Sequence, residues 1–427
     1  MNTFFATYAN RNGEIFDDPN HGFVACSAHH LVTPRQEEMI PLPYGAKFFT
    51  MPNYDPLGWN YDLEQTVYLN EPNDGMSAVS TFLPPGYIRL CLPGANYKTG
   101  ESSLPLWSYT ALAWKGNRFW VPAQKIDDDS HWNPSKFDDR GIDRRIDRKR
   151  RRLKDNRLVE QLAICAKEFH CFAAKNFFYE RWECPLPVSP GCNAECVGCL
   201  SMQTQKKAHA SMERLKFVPA PEEVIELALD HLERAPDPIL SFGQGCEGDP
   251  LMQTDVIEQV IREVKRIVPE STININTNAS LPKSVQRLAD AGLDSIRISM
   301  NSALPDKYTR YYRPDSYTFY DVQSSAETAR DAGVFVNLNL LVFPGITDQE
   351  NEIDALLKFV GKCGVGRIQM KNLCIDPHLY LETVGYPASP GAGIRAMMDR
   401  VNQEYPAVQF GYFNLTKSQF QPGRQLV

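Results

Sequence analysis

From Trp182 onward the chain alternates between two hydrophobic periods, and this alternation restricts its possible folds more than any other feature. Short runs rich in β-branched residues, at about 183–189, 238–243, 272–276, 294–300, 334–341 and 366–372, read as strands. Between and after them lie stretches of helical period: one beginning at Pro221 with Glu222 and Glu223 in its first turn, the others at about 253–267, 282–292, 319–332, 348–361 and 390–404. Strand–helix units repeated in this way build a parallel sheet with right-handed crossovers. Six units are too few to close an eight-fold barrel, so the expected fold is α/β, a partial (β/α)6 TIM-like barrel that stays open on one side.

What precedes the barrel is different in kind. Residues 1–125 hold nine prolines between Pro41 and Pro105, with short β-prone runs between them, and read as a β-rich N-terminal domain. Its clearest hairpin runs from Tyr109 to Trp114, turns at Lys115-Gly116-Asn117 and returns from Arg118 to Val121. Residues 126–180 form a charged linker that leads into an amphipathic helix at about 156–176. Within the linker, Asp127, Asp128, Asp129, Asp138 and Asp139 come just before ten Lys or Arg between Arg140 and Arg157. The barrel core is expected over 181–385, and 386–427 reads as a C-terminal helix and tail.

The chain carries 11 cysteines in 427 residues and a net charge of −7, too few cysteines for a disulfide scaffold and the wrong sign for a general nucleic-acid coat. No apolar stretch is long enough to span a membrane, and the N-terminus lacks the pattern of a secretory signal, so a cytoplasmic protein is expected. In a reducing compartment, clustered cysteines point to metal. Cys192, Cys196 and Cys199 form C-x3-C-x2-C directly after the first barrel strand. Three soft thiolates on one loop can hold three irons of a [4Fe–4S] cluster and leave the fourth open to another ligand. The alternative is a structural zinc site with Cys184 as the fourth ligand.

This triad, its place after the first strand and the βα units behind it resemble the radical S-adenosylmethionine (SAM) superfamily, over about 184–382. The resemblance implies a [4Fe–4S] cluster on Cys192, Cys196 and Cys199, SAM chelated at the open iron, and reductive cleavage of SAM to a 5′-deoxyadenosyl radical that abstracts hydrogen from a substrate. It also implies an external one-electron reductant such as flavodoxin or ferredoxin, and sensitivity to oxygen. The family's glycine-rich SAM-binding turn is matched by Gly243, Gly245, Glu247 and Asp249 in GQGCEGDPL, with Glu247 slightly favoured over Asp249 as the acid that meets the SAM amino group. Strand ends at Asn276 and Asn278, and at Ser299 and Asn301, stand where the family contacts the SAM ribose and carboxylate. Arg313 stands where many members place a basic residue, and Phe343 and Met370 lie on segments that pass along the adenine. In one departure, the residue before the third cysteine, often aromatic in the family, is Gly198; Leu200 or the fifth-strand segment would then have to meet the adenine.

No cysteine follows Cys374, so a C-terminal auxiliary cluster domain is not expected, and Cys246 lies inside the SAM-binding turn. Substrate is expected at the C-terminal mouth of the barrel, with the N-terminal domain covering it against water and oxidants. Its identity, peptide or small molecule, is not written in the sequence. Two rival readings remain: an RNA-modifying enzyme of the same chemistry that uses the basic linker, and a non-catalytic zinc or iron–sulfur protein that binds a partner.

Overall fold

The computed structural model describes residues 3–69, 74–98, 103–127, 133–203 and 208–420; Asp128 and Asp129 of the acidic stretch lie outside them. Seven parallel strands form the second half of the chain, in sequence order: β1 (Glu183–Pro185), β2 (Ile239–Phe242), β3 (Thr272–Thr277), β4 (Ser295–Met300), β5 (Phe335–Val342), β6 (Arg367–Asn372) and β7 (Gln409–Gly411). The first six lie where the sequence pattern put them, and β7 adds one that it did not.

Within the strands, alternate residues face opposite ways. Ile296, Ile298 and Met300 of β4, Val336, Leu338 and Leu340 of β5, and Ile368 and Met370 of β6 are at most 2% exposed and belong to the main apolar core. The residues between them are mostly polar and line the inside of the curved sheet. Ahead of the barrel stand α1 (Ile142–Arg152), α2 (Arg157–Lys167) and α3 (Phe172–Tyr179). With the strands come α4 (Pro221–Arg234), α5 (Thr254–Ile267), α6 (Pro282–Ala291), α7 (Pro305–Tyr312), α8 (Phe319–Asp331), α9 (Glu350–Cys363), α10 (Pro377–Val384) and α11 (Ile394–Glu404). Of these, α4, α6, α7 and α10 start on proline, whose fixed φ suits a first helical turn.

The segment after β7 reaches across the open side of the barrel. Asn414 donates to Glu183 Oε1 of the first strand at 2.7 Å and accepts from Gln369 of the sixth at 2.8 Å. Phe413 packs edge-on to Trp182 with ring centroids 6.2 Å apart. Residues 409–414 therefore bridge the gap between the first and last strands, whereas the sequence pattern had suggested only a tail.

Ahead of the barrel, the expected helix at 156–176 is two helices, Arg157–Lys167 and Phe172–Tyr179, preceded by a third, Ile142–Arg152, in the basic run. The break falls at His170, whose φ of +49° is left-handed and ends the first run. Five of the ten basic side chains in the run are held by acids of the same chain: Arg140 by Asp138, Lys149 and Arg152 by Asp230 and Glu180, Arg150 by Glu160, and Arg157 by Glu223.

The N-terminal region contributes an eleven-stranded antiparallel sheet. Its hairpin pairs Lys115 with Arg118 across Gly116 and Asn117, both at positive φ, the geometry that matches strand twist in a two-residue turn. This sheet packs beside the C-terminal ends of β5 and β6. Arg89, fully buried, donates to the carbonyls of Tyr109 (3.0 Å), Leu373 (3.0 Å) and Val342 (3.4 Å) and lies 5.5 Å from the centre of the Phe343 ring. Asp376 accepts from the Tyr54 hydroxyl (2.5 Å) and from Leu104 N–H (2.7 Å). Among the described residues no helix is long and apolar enough to cross a membrane.

Candidate functional site: the cysteine loop and the barrel lumen

The cysteine loop leaves the C-terminal end of β1 and is held on two sides. On one side Gly248 N–H donates to Ser189 O (2.7 Å) and Asp249 N–H to Gly191 O (2.9 Å). This approach requires glycine, since a Cβ on Gly248 would stand 1.8 Å from Gly191 O. On the other side Glu195 N–H meets Tyr312 O (3.1 Å), Val197 N–H meets Tyr311 O (3.0 Å) and Asp315 N–H meets Asn193 O (2.8 Å), which ties the loop to the end of α7. A turn from Cys199 N–H to Cys196 O (3.1 Å) brings the last two cysteines together.

The three thiols are near enough for Cys196 to feel the charges of both Cys192 and Cys199. Burial, reinforced by neighbouring anionic groups, raises the Cys196 thiol above its ordinary range and pushes Cys192 up to about 11. A bound cation reverses that preference, because thiolates are its ligands. Arg214 donates to Cys199 Sγ at 3.3 Å and to Ser201 Oγ at 3.1 Å.

Cys184 does not join this group. It is fully buried on β1, and the charged groups acting on it are Lys149, Asp230 and Glu183, none of them a loop cysteine. The zinc reading with Cys184 as fourth ligand is corrected on this ground: the strand aims that side chain away from the loop. Among the described residues no three His, Cys, Asp or Glu side chains are close enough to share one metal ion. Three mutually interacting thiols without a fourth fit a cluster with one open position better than a closed tetrahedral site.

Both acids of the glycine-rich turn are spent on the chain itself. Glu247 accepts four backbone N–H bonds, from Val188 (2.7 Å), Ser189 (2.8 Å), Gly243 (2.9 Å) and Gln244 (2.8 Å), and so ties the start of the cysteine loop to the turn after β2. Burial pushes its carboxyl up to about 7 against the pull of those donors. Asp249 accepts from Thr277 Oγ1 (2.8 Å), Asn278 N–H (2.7 Å) and Leu251 N–H (3.0 Å). Gly243, at φ +79°, leaves room for Asn276 O, which a Cβ would meet at 1.8 Å; a Cβ on Gly245 would stand 3.3 Å from Met212.

The remaining expected contact residues divide by face. Asn276 donates to Phe242 O and Gly243 O (3.0 Å each), and Asn278 donates to Asn193 of the cysteine loop (2.9 Å). Ser299 faces the lumen and accepts from Asn339 (3.1 Å). Asn301 is fully buried and donates to the Tyr380 hydroxyl (3.2 Å). Arg313 caps α7 in the left-handed conformation beside the loop. Met370 points outward into the helix-packed core, and Phe343 is buried against Tyr380, ring centroids 4.6 Å apart. At Gly198 a Cβ would stand 2.6 Å from the Tyr311 hydroxyl, so a tyrosine from α7 fills the space beside the loop where a side chain at 198 would go.

Sequence reading missed Arg214, Tyr311 and the charged lumen residues Arg297 and Lys371. The last two had a signal: a cation inside an otherwise β-prone run, one in SIRISM and two in RIQMKN, of which Arg367 is paired with Asp127. A surface groove of about 930 Å³ between Arg151–Lys154, α4 and Ile267–Val268 lies at the opposite end of the strands from the cysteine loop, and Arg152, Asp230 and Arg234 on its edge are already paired with one another.

Residues 186–358 match the family model described as the radical SAM superfamily. Among curated proteins, the chain is 29% identical over 180 residues to the GTP 3′,8-cyclase of Listeria monocytogenes serotype 4b, covering 41% of this chain and 49% of that one. It is 32% identical over 138 residues to the probable GTP 3′,8-cyclase of Methanosarcina acetivorans, covering 31% and 39%. The chain thus spans about half the length of the curated relatives it matches, or less. Solved structures similar to it include Streptococcus suis SuiB bound to S-adenosylmethionine (12% identity, TM-score 0.39, 61% of this chain and 56% of that one). Methylornithine synthase is another (15%, TM-score 0.39, 63% and 77%).

Proposed function

Because residues 186–358 make this chain a member of the radical SAM superfamily, we propose that it is an enzyme that abstracts hydrogen from a substrate held in its barrel lumen. The observation that carries this reading is the loop of three interacting thiols, fixed on both sides by backbone bonds and opening on the C-terminal mouth of a parallel barrel. Cys192, Cys196 and Cys199 hold a [4Fe–4S] cluster, and its open position takes SAM. Bound there, the pair supplies a 5′-deoxyadenosyl radical through one-electron reductive cleavage of the SAM sulfonium.

The chain's own part is positioning. Arg214 places a positive charge on Cys199, and donors to cluster sulfurs are among the levers that set a cluster's potential. Glu247 and Asp249 act as braces: they fix the turn after β2, and its backbone around Gly243 to Gly245 meets SAM. Asn276, Asn278, Ser299, Asn301 and Arg313 complete the surroundings of SAM in this reading, and Phe343 and Met370 support them from the packed core. The electron comes from an external reductant. The likeness to GTP 3′,8-cyclases reaches 41% of the chain at most of the two described, too little for their substrate to be carried over.

The test is anaerobic reconstitution with iron and sulfide, followed by reduction in the presence of SAM. Wild type should form 5′-deoxyadenosine and Cys196→Ala should form none. A fully loaded wild-type protein that forms none sinks the reading.

A further inference from the structure

Among the described residues, the barrel interior holds two basic side chains, Arg297 and Lys371, that stand in no direct ion pair, although the charge of Glu183 reaches both. Register aligns Arg297 with Asn337, Ser299 with Asn339 and Gln369, and Leu341 with Lys371, all on the inward faces of β4, β5 and β6. Arg297 gives one bond to Gln369 Oε1 (2.9 Å), and its Nε has no partner. Lys371 reaches the Tyr412 carbonyl and lies 3.2 Å from the centre of that ring. Among the described residues neither cation has a carboxylate within ion-pair distance.

The carboxylates near this cluster are already engaged. Asp127 accepts from Arg367 (2.9 Å) and from Tyr412 N–H (3.0 Å), and Glu183 Oε1 accepts from Ser241 and Asn414 (2.7 Å each). Burial drives the Lys371 ammonium well below its ordinary range and Arg297 adds to this, with Glu183 and Asp127 pulling the other way; burial lowers Arg297 as well, with Glu183 opposing. Charge without an ion-pair partner, half withdrawn from water, is costly, so a fold that keeps two such groups on either side of the Ser299–Gln369 layer gains something from them. Two acceptors stand beside them unused: Asn337 Oδ1, on a residue 3% exposed, and Asn339 Oδ1 have no donor.

We propose that this lumen binds an oxyanion of the substrate, a carboxylate or a phosphate, on Arg297 and Lys371, with O–H or N–H groups of the same molecule donating to Asn337 and Asn339. The inference rests on the radical reading above and gives it a substrate class: a small polar anion seated at the level of Ser299 and Gln369, with Arg297 one inward layer below and Lys371 one above. Arginine and lysine together suit either oxyanion, Arg297 through a planar fork and Lys371 as a point charge.

The experiment uses the full chain with its cluster reconstituted, unreduced and saturated with SAM, so that the carboxylate of SAM cannot be mistaken for the probe. Inorganic phosphate and pyrophosphate form one arm of calorimetric titrations, acetate and succinate the other. One arm should bind with 1:1 stoichiometry, and the arm that binds identifies the oxyanion. Lys371→Met and Arg297→Gln should each weaken binding at least tenfold. Asn339→Asp, which sets a like charge against the ligand, should do the same, and it keeps the test open if Arg297→Gln does not fold. The proposal is overturned if neither arm binds wild type, if binding occurs only without SAM, or if folded variants stay within threefold of wild type. Formation of 5′-deoxyadenosine by wild type is scored separately, so this idea can fail while the radical reading stands.

Discussion

Successive residues of β4 face opposite ways and do opposite jobs. Ile296, Ile298 and Met300 are fully buried against the helices, whereas Arg297 and Ser299, one step along the same strand, remain part-exposed in the lumen. A period-2 element thus puts packed apolar side chains on one face and polar, part-exposed ones on the other, and substitutions one residue apart should differ in kind as well as size. Ile298→Ala removes a branched side chain from a packed core and should cost about 4 kcal/mol in denaturant unfolding. Ser299→Ala on the neighbouring inward position should cost less than about 1 kcal/mol. If the two variants unfold at the same denaturant midpoint, the division between faces is wrong.

That division also explains how much could be read from the sequence. The outward residues carry the alternating apolar signal, so six strands and the helices beginning at Pro221 and Pro282 were legible. The cysteine spacing was legible because the three thiols lie within eight residues. β7 was not: Gln409–Gly411 is too short to show a period, and its role depends on Asn414 reaching strands over 170 residues earlier in the chain. α7 was missed because PDKYTRYY is rich in tyrosine, which favours strands in isolation, and only the tertiary contacts of Tyr308, Tyr311 and Tyr312 make it a helix. Glu247 was legible as an acid in the right turn, but only geometry shows that its lone pairs go to four backbone N–H groups.

Glu247 sharpens the comparison, because it is a buried polar group whose lone pairs the fold has fully used, while Arg297, half-buried in the lumen, keeps a donor without a partner. Glu247→Gln turns an amide N–H₂ toward donors that need acceptors, and should cost about 3 kcal/mol. The loss should appear as a lower unfolding midpoint together with reduced iron uptake on reconstitution. A variant with wild-type stability would show that the brace is dispensable.

The smallest effect tests the outer layer through pH. His231 of α4 is fully buried, its Nε2 is 3.4 Å from Trp182 O, and burial, with Lys149 nearby and Asp230 opposing, lowers its pKa to about 4. The unfolded chain binds a proton near the ordinary value of about 6.5, so between these limits it binds more protons than the native state does. The stabilisation from a neutral His231 is therefore complete above about pH 6.5 and is lost as pH falls toward 4, amounting to about 1.4 kcal/mol by pH 5.5. Other groups titrate in this range, so the measurement is a difference: wild type against His231→Gln, whose amide can still donate to Trp182 O. The stability gap between the two should shift by about that amount, against wild type, between pH 7.5 and 5.5. A gap that does not change with pH would mean that His231 titrates alike in the folded and unfolded chain, so that the shell beside α4 does not hold it neutral.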